Sequence, residues 1–272
     1  MFRCGFRLQP EDRSGARARF RGDVNAAIIA ALIAATAALI TSIVSLIGQR
    51  RTAALQHELA MRREADNRAA LLQQVMARYR QPLLQAATDL QSRLYNIVRG
   101  RFLQIYGGGS AEDRSYTIDS TLFVVGEYFG WVEALRRDVQ FLDVGDDQHN
   151  RRVQECIERI ASEFLRDDLE PELRLFRGQQ RAIGEVMLAP RSGSGGLECL
   201  GIATFVRRVH DAELAPWFSR LRQDLAILTR EPVVSSRRIE HIQGALVDLM
   251  DCLDPQGVRI PARRREKLSG VG

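Results

Sequence analysis

The sequence predicts an all-α protein with a single N-terminal transmembrane helix, a helical stalk, and then a soluble helical bundle of about six helices. Three observations carry this reading. A 22-residue run from Ala26 to Ile47 holds no charge. Downstream, apolar residues recur at three- and four-residue spacing, the period of one helix face. Strand-like alternation is nearly absent from the 272 residues. The implied organisation is a leader at 1–24, a transmembrane helix at 25–48, a stalk at 49–80, a cytosolic α-helical domain at 81–255 and a basic disordered tail at 256–272.

The leader shows no apolar periodicity, and its "EDRSGARARFRGD" stretch resembles a disordered or mis-annotated start. The run that follows suits a bilayer. As a helix, Ala26 to Ile47 is about 33 Å long, against a hydrocarbon core of about 30 Å. Thr36, Thr41, Ser42 and Ser45 are tolerable there, because their hydroxyls bond back to the helix backbone. A cleaved signal peptide has a shorter apolar region ending at small residues; here Gln49-Arg50-Arg51 follows directly. Alanines at four-residue spacing offer a close-packing face to a second helix. The arginines nearest the run tie, Arg7, Arg13, Arg17, Arg19 and Arg21 before it and Arg50, Arg51, Arg62, Arg63 and Arg68 after it. Without the leader, all flanking positive charge follows the helix, which places the C-terminal domain in the cytosol and the chain in the plasma membrane as a single-pass protein.

Arg50 to Arg78 contains no Gly or Pro and is rich in helix formers. Its apolar seam of Leu55, Leu59, Ala69, Leu72, Met76 and Tyr79 is broken by Arg62 and Asp66, so the stalk is solvated rather than a stable coiled coil. Pro82 predicts a kink or restart, and Leu83, Leu84, Ala87, Leu90, Leu94, Ile97 and Val98 form a core-facing stripe. "YGGGSAEDRS" (Tyr106 to Ser115) reads as a flexible connector. A helix from about Ser120 to Leu142 carries Phe123, Tyr128, Phe129 and Trp131, with Gly126 and Gly130 on one face. Each such glycine costs about 1 kcal/mol against alanine, which implies that another helix approaches there. "DVGDDQHN" (Asp143 to Asn150) is a turn before a helix to about Leu165. Helices follow at about Leu173 to Leu188, Asp211 to Leu228 and Ser236 to Leu253, the last stopped by Asp254-Pro255. "PRSGSGG" is a flexible loop, and "LECLGIATF" is a short strand or a buried helix start.

Function is less legible. Lys267 is the only lysine beside 38 arginines, the bias of a GC-rich bacterial genome. Four scattered cysteines without a CxxC read as reduced thiols rather than as a disulfide framework or metal site. No HExxH, GxSxG, phosphate loop or dinucleotide fingerprint occurs. Asp143, Asp146, Asp147 and His149 lack the pattern of a calcium loop, so no metal and no cofactor is expected. The basic cluster Arg263 to Arg265 with Lys267 has no aromatic neighbours, so nucleic acid is not expected either.

The most distinctive segment is "LFRGQQRAIGEVML" (Leu175 to Leu188). Arg177, Arg181 and Glu185 stand four apart on one helix face, with Gln180 beside them. Arginine forks there suit a phosphate or carboxylate ligand, while the same residues equally suit an arginine–glutamate ladder packing the helix on its neighbours. Arg237 and Arg238 open the last helix, and Asp248, Asp251 and Asp254 close it. That is the reverse of what the helix dipole favours, which implies partner charges on neighbouring helices.

The resulting expectation is a membrane-anchored helical domain that touches lipid through residues 26–47 and engages a protein partner or its own copy. The alternative is a membrane-tethered enzyme or ligand-binding domain for a phosphorylated or nucleotide substrate. For the leader, translation is expected to begin at or near Val24. The intact mass of the native protein should therefore lack Met1 to Asp23, and a mass that includes them contradicts that start.

Overall fold

The computed structural model describes residues 13–139, 148–190, 196–230 and 236–268. The chain divides into two compact units, 1–65 and 66–272.

Among the described residues, the first unit is a single run of helix, the opening part of α1 (Arg13–Val98). Residues 13–24, expected to lack structure, are already helical, in keeping with their high content of arginine and alanine. Ile28, Ile29, Leu32, Ile33, Leu39, Ile40, Ile43, Val44, Leu46 and Ile47 are all between 47% and 63% exposed. The Thr36 hydroxyl donates to the carbonyls of Leu32 and Ile33, and that of Thr41 to Ala37. The helix therefore offers the outside an apolar surface with its two threonine hydroxyls already satisfied. It is long and apolar enough to cross a membrane.

The second unit begins earlier than residue 81. Val75 and Tyr79 are buried, and the Tyr79 hydroxyl donates to Asp138 at 2.6 Å. Pro82 lies inside α1 without ending it, contrary to the expected restart. An interior proline costs about 3 kcal/mol. Leu83, Leu84, Leu90, Leu94 and Ile97 are each at most 2% exposed, and each such burial is worth about 1.5–3 kcal/mol, so the buried stripe outweighs the proline.

After α2 (Phe102–Gly107) the chain turns at once into α3 (Ala111–Val139). The expected flexible connector is instead a cap. Asp113 accepts from the Ser110 backbone N–H and hydroxyl at 3.2 and 2.8 Å, and the Ser110 hydroxyl accepts from the Asp113 N–H at 3.0 Å. This reciprocal bonding satisfies free N–H groups of the first turn and starts α3 nine residues before Ser120.

Helix α3 is the centre of the unit. It packs against α2, α5 (Arg177–Val186), α6 (Ile202–Arg208) and α7 (Ala215–Arg230), and against a small antiparallel pair, β1 (Leu188–Pro190) with β2 (Leu197–Cys199). Phe129 of α3 meets Phe164 at 5.2 Å between ring centres, and Phe205 of α6 meets Phe218 of α7 at 5.1 Å. The glycines of α3 do mark close approaches, but not of one helix alone. Met187 and Phe218 cover Gly126, and Cys199 and Met187 cover Gly130. The closest approach to another backbone is at Gly184 of α5, where a methyl group would lie 2.6 Å from the Phe129 carbonyl oxygen. The β1–β2 pair is the exception to an all-helical unit. "LECLGIATF" is both a strand and, from Ile202, a helix; residues 191–195 of "PRSGSGG" lie outside the described residues.

Helices α4 (Gln148–Leu165) and α8 (Arg237–Leu253) pack side by side. Arg238, fully buried at the start of α8, is pointed at the end of α4. Its guanidinium donates to the carbonyls of Glu163 (3.0 Å), Phe164 (3.2 Å), Arg166 (2.7 Å) and Glu170 (2.6 Å). The last carbonyls of a helix have no partners within it, and a cation is favoured there. Arg238 sits badly on the dipole of its own helix, at a cost of about 0.3–1 kcal/mol. Its charged hydrogen bonds, worth about 1.5–3 kcal/mol each, outweigh that.

The far end of α8 is resolved in the same way, and this corrects the expected disordered tail for residues 256–268. Asp254 accepts from the N–H groups of Val258, Arg259 and Ile260 and from Arg265 at 2.7 Å. Arg265 also pairs with Asp251 at 2.7 Å, while Lys267 and Arg159 both pair with Asp248. The buried Gln243 side chain donates to the Glu266 carbonyl and accepts from the Leu268 N–H. Ile260 and Leu268 are buried. Among the described residues, partner charges on a neighbouring helix are found for Asp248 alone, in Arg159 of α4; those of Asp251 and Asp254 come instead from Arg265 of the tail. Eight α-helices stand among the described residues, two more than expected for the bundle alone if α1 is counted, the short α2 and α6 being the additions.

Replacing Arg238 by methionine takes the charged donor from four part-buried or buried carbonyls, leaving Phe164 only the Leu175 N–H. The loss should be about 3 kcal/mol or more, or roughly 6–12 °C in Tm for a unit of this size. A thermal melt of Arg238→Met that matches the wild type would contradict this role.

Candidate functional site

Helix α5 carries the four residues singled out from sequence. Its first turn is set by Gln179, whose side-chain oxygen accepts from the Phe176 N–H at 2.9 Å. Gln180 then points inward and is buried, its amide donating to the Ala161 and Leu175 carbonyls at 2.9 Å each. Arg177 reaches α4, where it pairs with Glu158 at 3.0 Å and donates to the Ser162 hydroxyl. Glu185 reaches α3, pairing with Arg137 at 2.9 Å. Arg181 is exposed and has no ion-pair partner among the described residues. The structure thus brings three of the four into contacts that seat α5 on α3 and α4.

The seat has a strong point of its own in Glu133. This carboxylate is 2% exposed and takes a two-pronged bond from Arg136, at 2.7 Å on each oxygen, and a third from Arg137 at 2.8 Å. Burial alone would raise its pKa, but the two arginines outweigh burial and hold it below the usual range. Removing one partner from a buried, hydrogen-bonded charge is costly, whereas exposed pairs such as Arg137–Glu185 contribute under about 1 kcal/mol.

Between α3, α4 and α5 lies a cleft of about 120 Å³, lined by Tyr128, Val132, Ile157 and the stems of Arg136, Arg177 and Arg181. The Tyr128 hydroxyl is buried with no hydrogen-bond partner among the described residues. Burial, with the Cys156 and Glu158 charges nearby, raises its pKa so that it stays a neutral donor. The acidic cluster around Asp143 to Asp147 lies outside the described residues, and no group of three or more metal-ligating side chains occurs among those described.

Two constellations had no signal in the linear sequence. On α3 and α7, buried Asp119 pairs with Arg222 at 2.8 Å and lies 3.7 Å from His210. On the other side of α3, half-buried Glu127 is pushed up to about 7 by burial and by the Asp89 carboxylate. It neighbours Cys199, whose thiol donates to the Glu127 carbonyl at 3.7 Å and is itself raised by burial. These pairs are separated by tens of residues and use ordinary residue types, so only packing reveals them. Comparison with known proteins returns no match to any family, to any curated protein or to any solved structure.

Because Glu127 holds its proton more tightly folded than unfolded, its contribution to stability is full below pH 4.5 and is lost as the pH rises through about 7. Glu127→Gln should remove that slope, making the variant relatively more stable at pH 8 than at pH 4. Melts of both proteins across that range check it; parallel curves would contradict it.

Proposed function

We propose that this protein is a single-pass membrane protein whose helical domain, on the cytosolic face, engages a protein partner or a second copy of itself. The observation that carries the reading is the exposed apolar helix from Ile28 to Ile47. Leaving ten large aliphatic side chains in water costs on the order of 10 kcal/mol relative to burying them, and lipid removes that cost. The domain adds contact residues of its own. Ile105 and Tyr106 on α2, Tyr116 on α3, and Ile202, Val206 and Trp217 on α6 and α7 are exposed. The arginine–glutamate contacts of α5 support the same reading, since Arg177 and Glu185 serve the packing of the domain. The ligand-binding alternative keeps one observation in its favour, the cleft with the unpartnered Tyr128 hydroxyl beside Arg181.

The test is fractionation of the full chain, followed by crosslinking in washed membranes. Wild type should remain in the membrane after alkaline extraction and yield a discrete crosslinked species. Arginine in place of both Leu39 and Ile40, at about 2.5–3.5 kcal/mol each near a helix centre, should release the chain. Trp217→Ser with Ile202→Ser should keep the anchor but lose the crosslink. A soluble wild type would overturn the anchor, and a monomer in every crosslinking condition would overturn the interaction.

A further inference from the structure

Cys156 on α4 and Cys252 in the last turn of α8 are 96 residues apart in sequence, yet their sulfur atoms lie 3.4 Å from one another. Both are half-buried, and both line a groove of about 780 Å³ between the two helices, with Arg152, Arg159, Asp248 and Asp251 along its walls. The helices are fastened beside the pair by Arg159 and Asp248 at 3.0 Å. A disulfide bond is about 2.05 Å long, so the two sulfurs need to close by roughly 1.4 Å, which is within the reach of side-chain rotation. The third described cysteine, Cys199, lies elsewhere, against Gly130 and the Glu127 carbonyl.

We propose that Cys156 and Cys252 form a reversible dithiol–disulfide pair, oxidised by a peroxide or a small-molecule disulfide that enters this groove. With peroxide, the Cys252 thiolate attacks one oxygen, the O–O bond breaks, and the departing hydroxide takes a proton to become water. Cys252 is left as a sulfenic acid. The Cys156 sulfur then attacks the Cys252 sulfur, the S–O bond breaks, and the hydroxyl leaves as a second water with the Cys156 proton. The two sulfurs together lose two electrons, and one peroxide becomes two waters. In this order Cys252 attacks first and Cys156 second, which the Cys156→Ser variant tests; burial, the Cys252 thiol and the Asp248 carboxylate raise the Cys156 thiol, in keeping with its later role. The bond would join α4 to α8 next to Asp251 and Asp254, where the tail is held.

The experiment uses the full chain in membranes, exposed to hydrogen peroxide or to oxidised glutathione, then alkylated and mapped by mass spectrometry. The expected product has lost two hydrogen masses and the alkylatable thiols of Cys156 and Cys252, in a single linked peptide containing both, and dithiothreitol restores them. In Cys156→Ser, peroxide should stop at a dimedone-reactive Cys252. A wild-type chain that keeps both thiols, or that links a different pair, overturns the proposal, as does a Cys156→Ser variant whose Cys252 stays unmodified.

Discussion

The second unit depends on how one arginine resolves a problem at a helix end. Helix α4 stops at Leu165, and the chain from there to α5 is irregular, so the carbonyls of Glu163, Phe164, Arg166 and Glu170 need donors from outside the helix. That of Phe164 is buried and the other three are partly so. Arg238 supplies all of them at once with a planar group that carries five N–H donors. In doing so it fixes α8 against α4, and the same linker positions α5. Leu173 adopts a left-handed backbone there, φ 59°, with its N–H bound by the buried Asp224 of α7. Through these contacts the helices that could slide along one another are given a register.

Charge is handled the same way at the other end of α8. Its three aspartates oppose its dipole, and the chain answers with its own C-terminal segment rather than with solvent. Burial would raise the Asp254 carboxyl, but three backbone N–H groups and Arg265 hold it below the ordinary range. The tail is basic because it is a counter-charge, and it is ordered because Ile260, Leu268 and the two faces of Gln243 bury it.

Helix positions were largely legible, since periodic stripes such as Leu83 to Ile97 and caps such as Ser236 before Ile239 are local. The misreadings came where a local rule met a distant partner. Pro82 is tolerated because of what α1 buries. The glycines before Ser110 read as slack, yet Ser110 and Asp113 make a cap. The tail reads as disordered because it has no apolar periodicity of its own, and the aspartates that hold it, Asp248 to Asp254, read only as a misplaced helix end. For the α5 residues, spacing placed Arg177, Arg181 and Glu185 on one face, but it could not show that Glu158 and Arg137 wait on neighbouring helices. Cys156 and Cys252 are the extreme case, as nothing in their spacing signals contact.

An apolar helix long enough to cross a membrane leads into a domain whose buried charges find partners within it, and the proposed arrangement sets that domain on the cytosolic side. The most direct measurement is a pair of C-terminal fusions read in washed membranes, one reporter active only outside the cytosol and one fluorescent only inside it. The account predicts membrane-bound fluorescence and no external activity. External activity would contradict the orientation, and fluorescence found only in the soluble fraction would contradict the anchor.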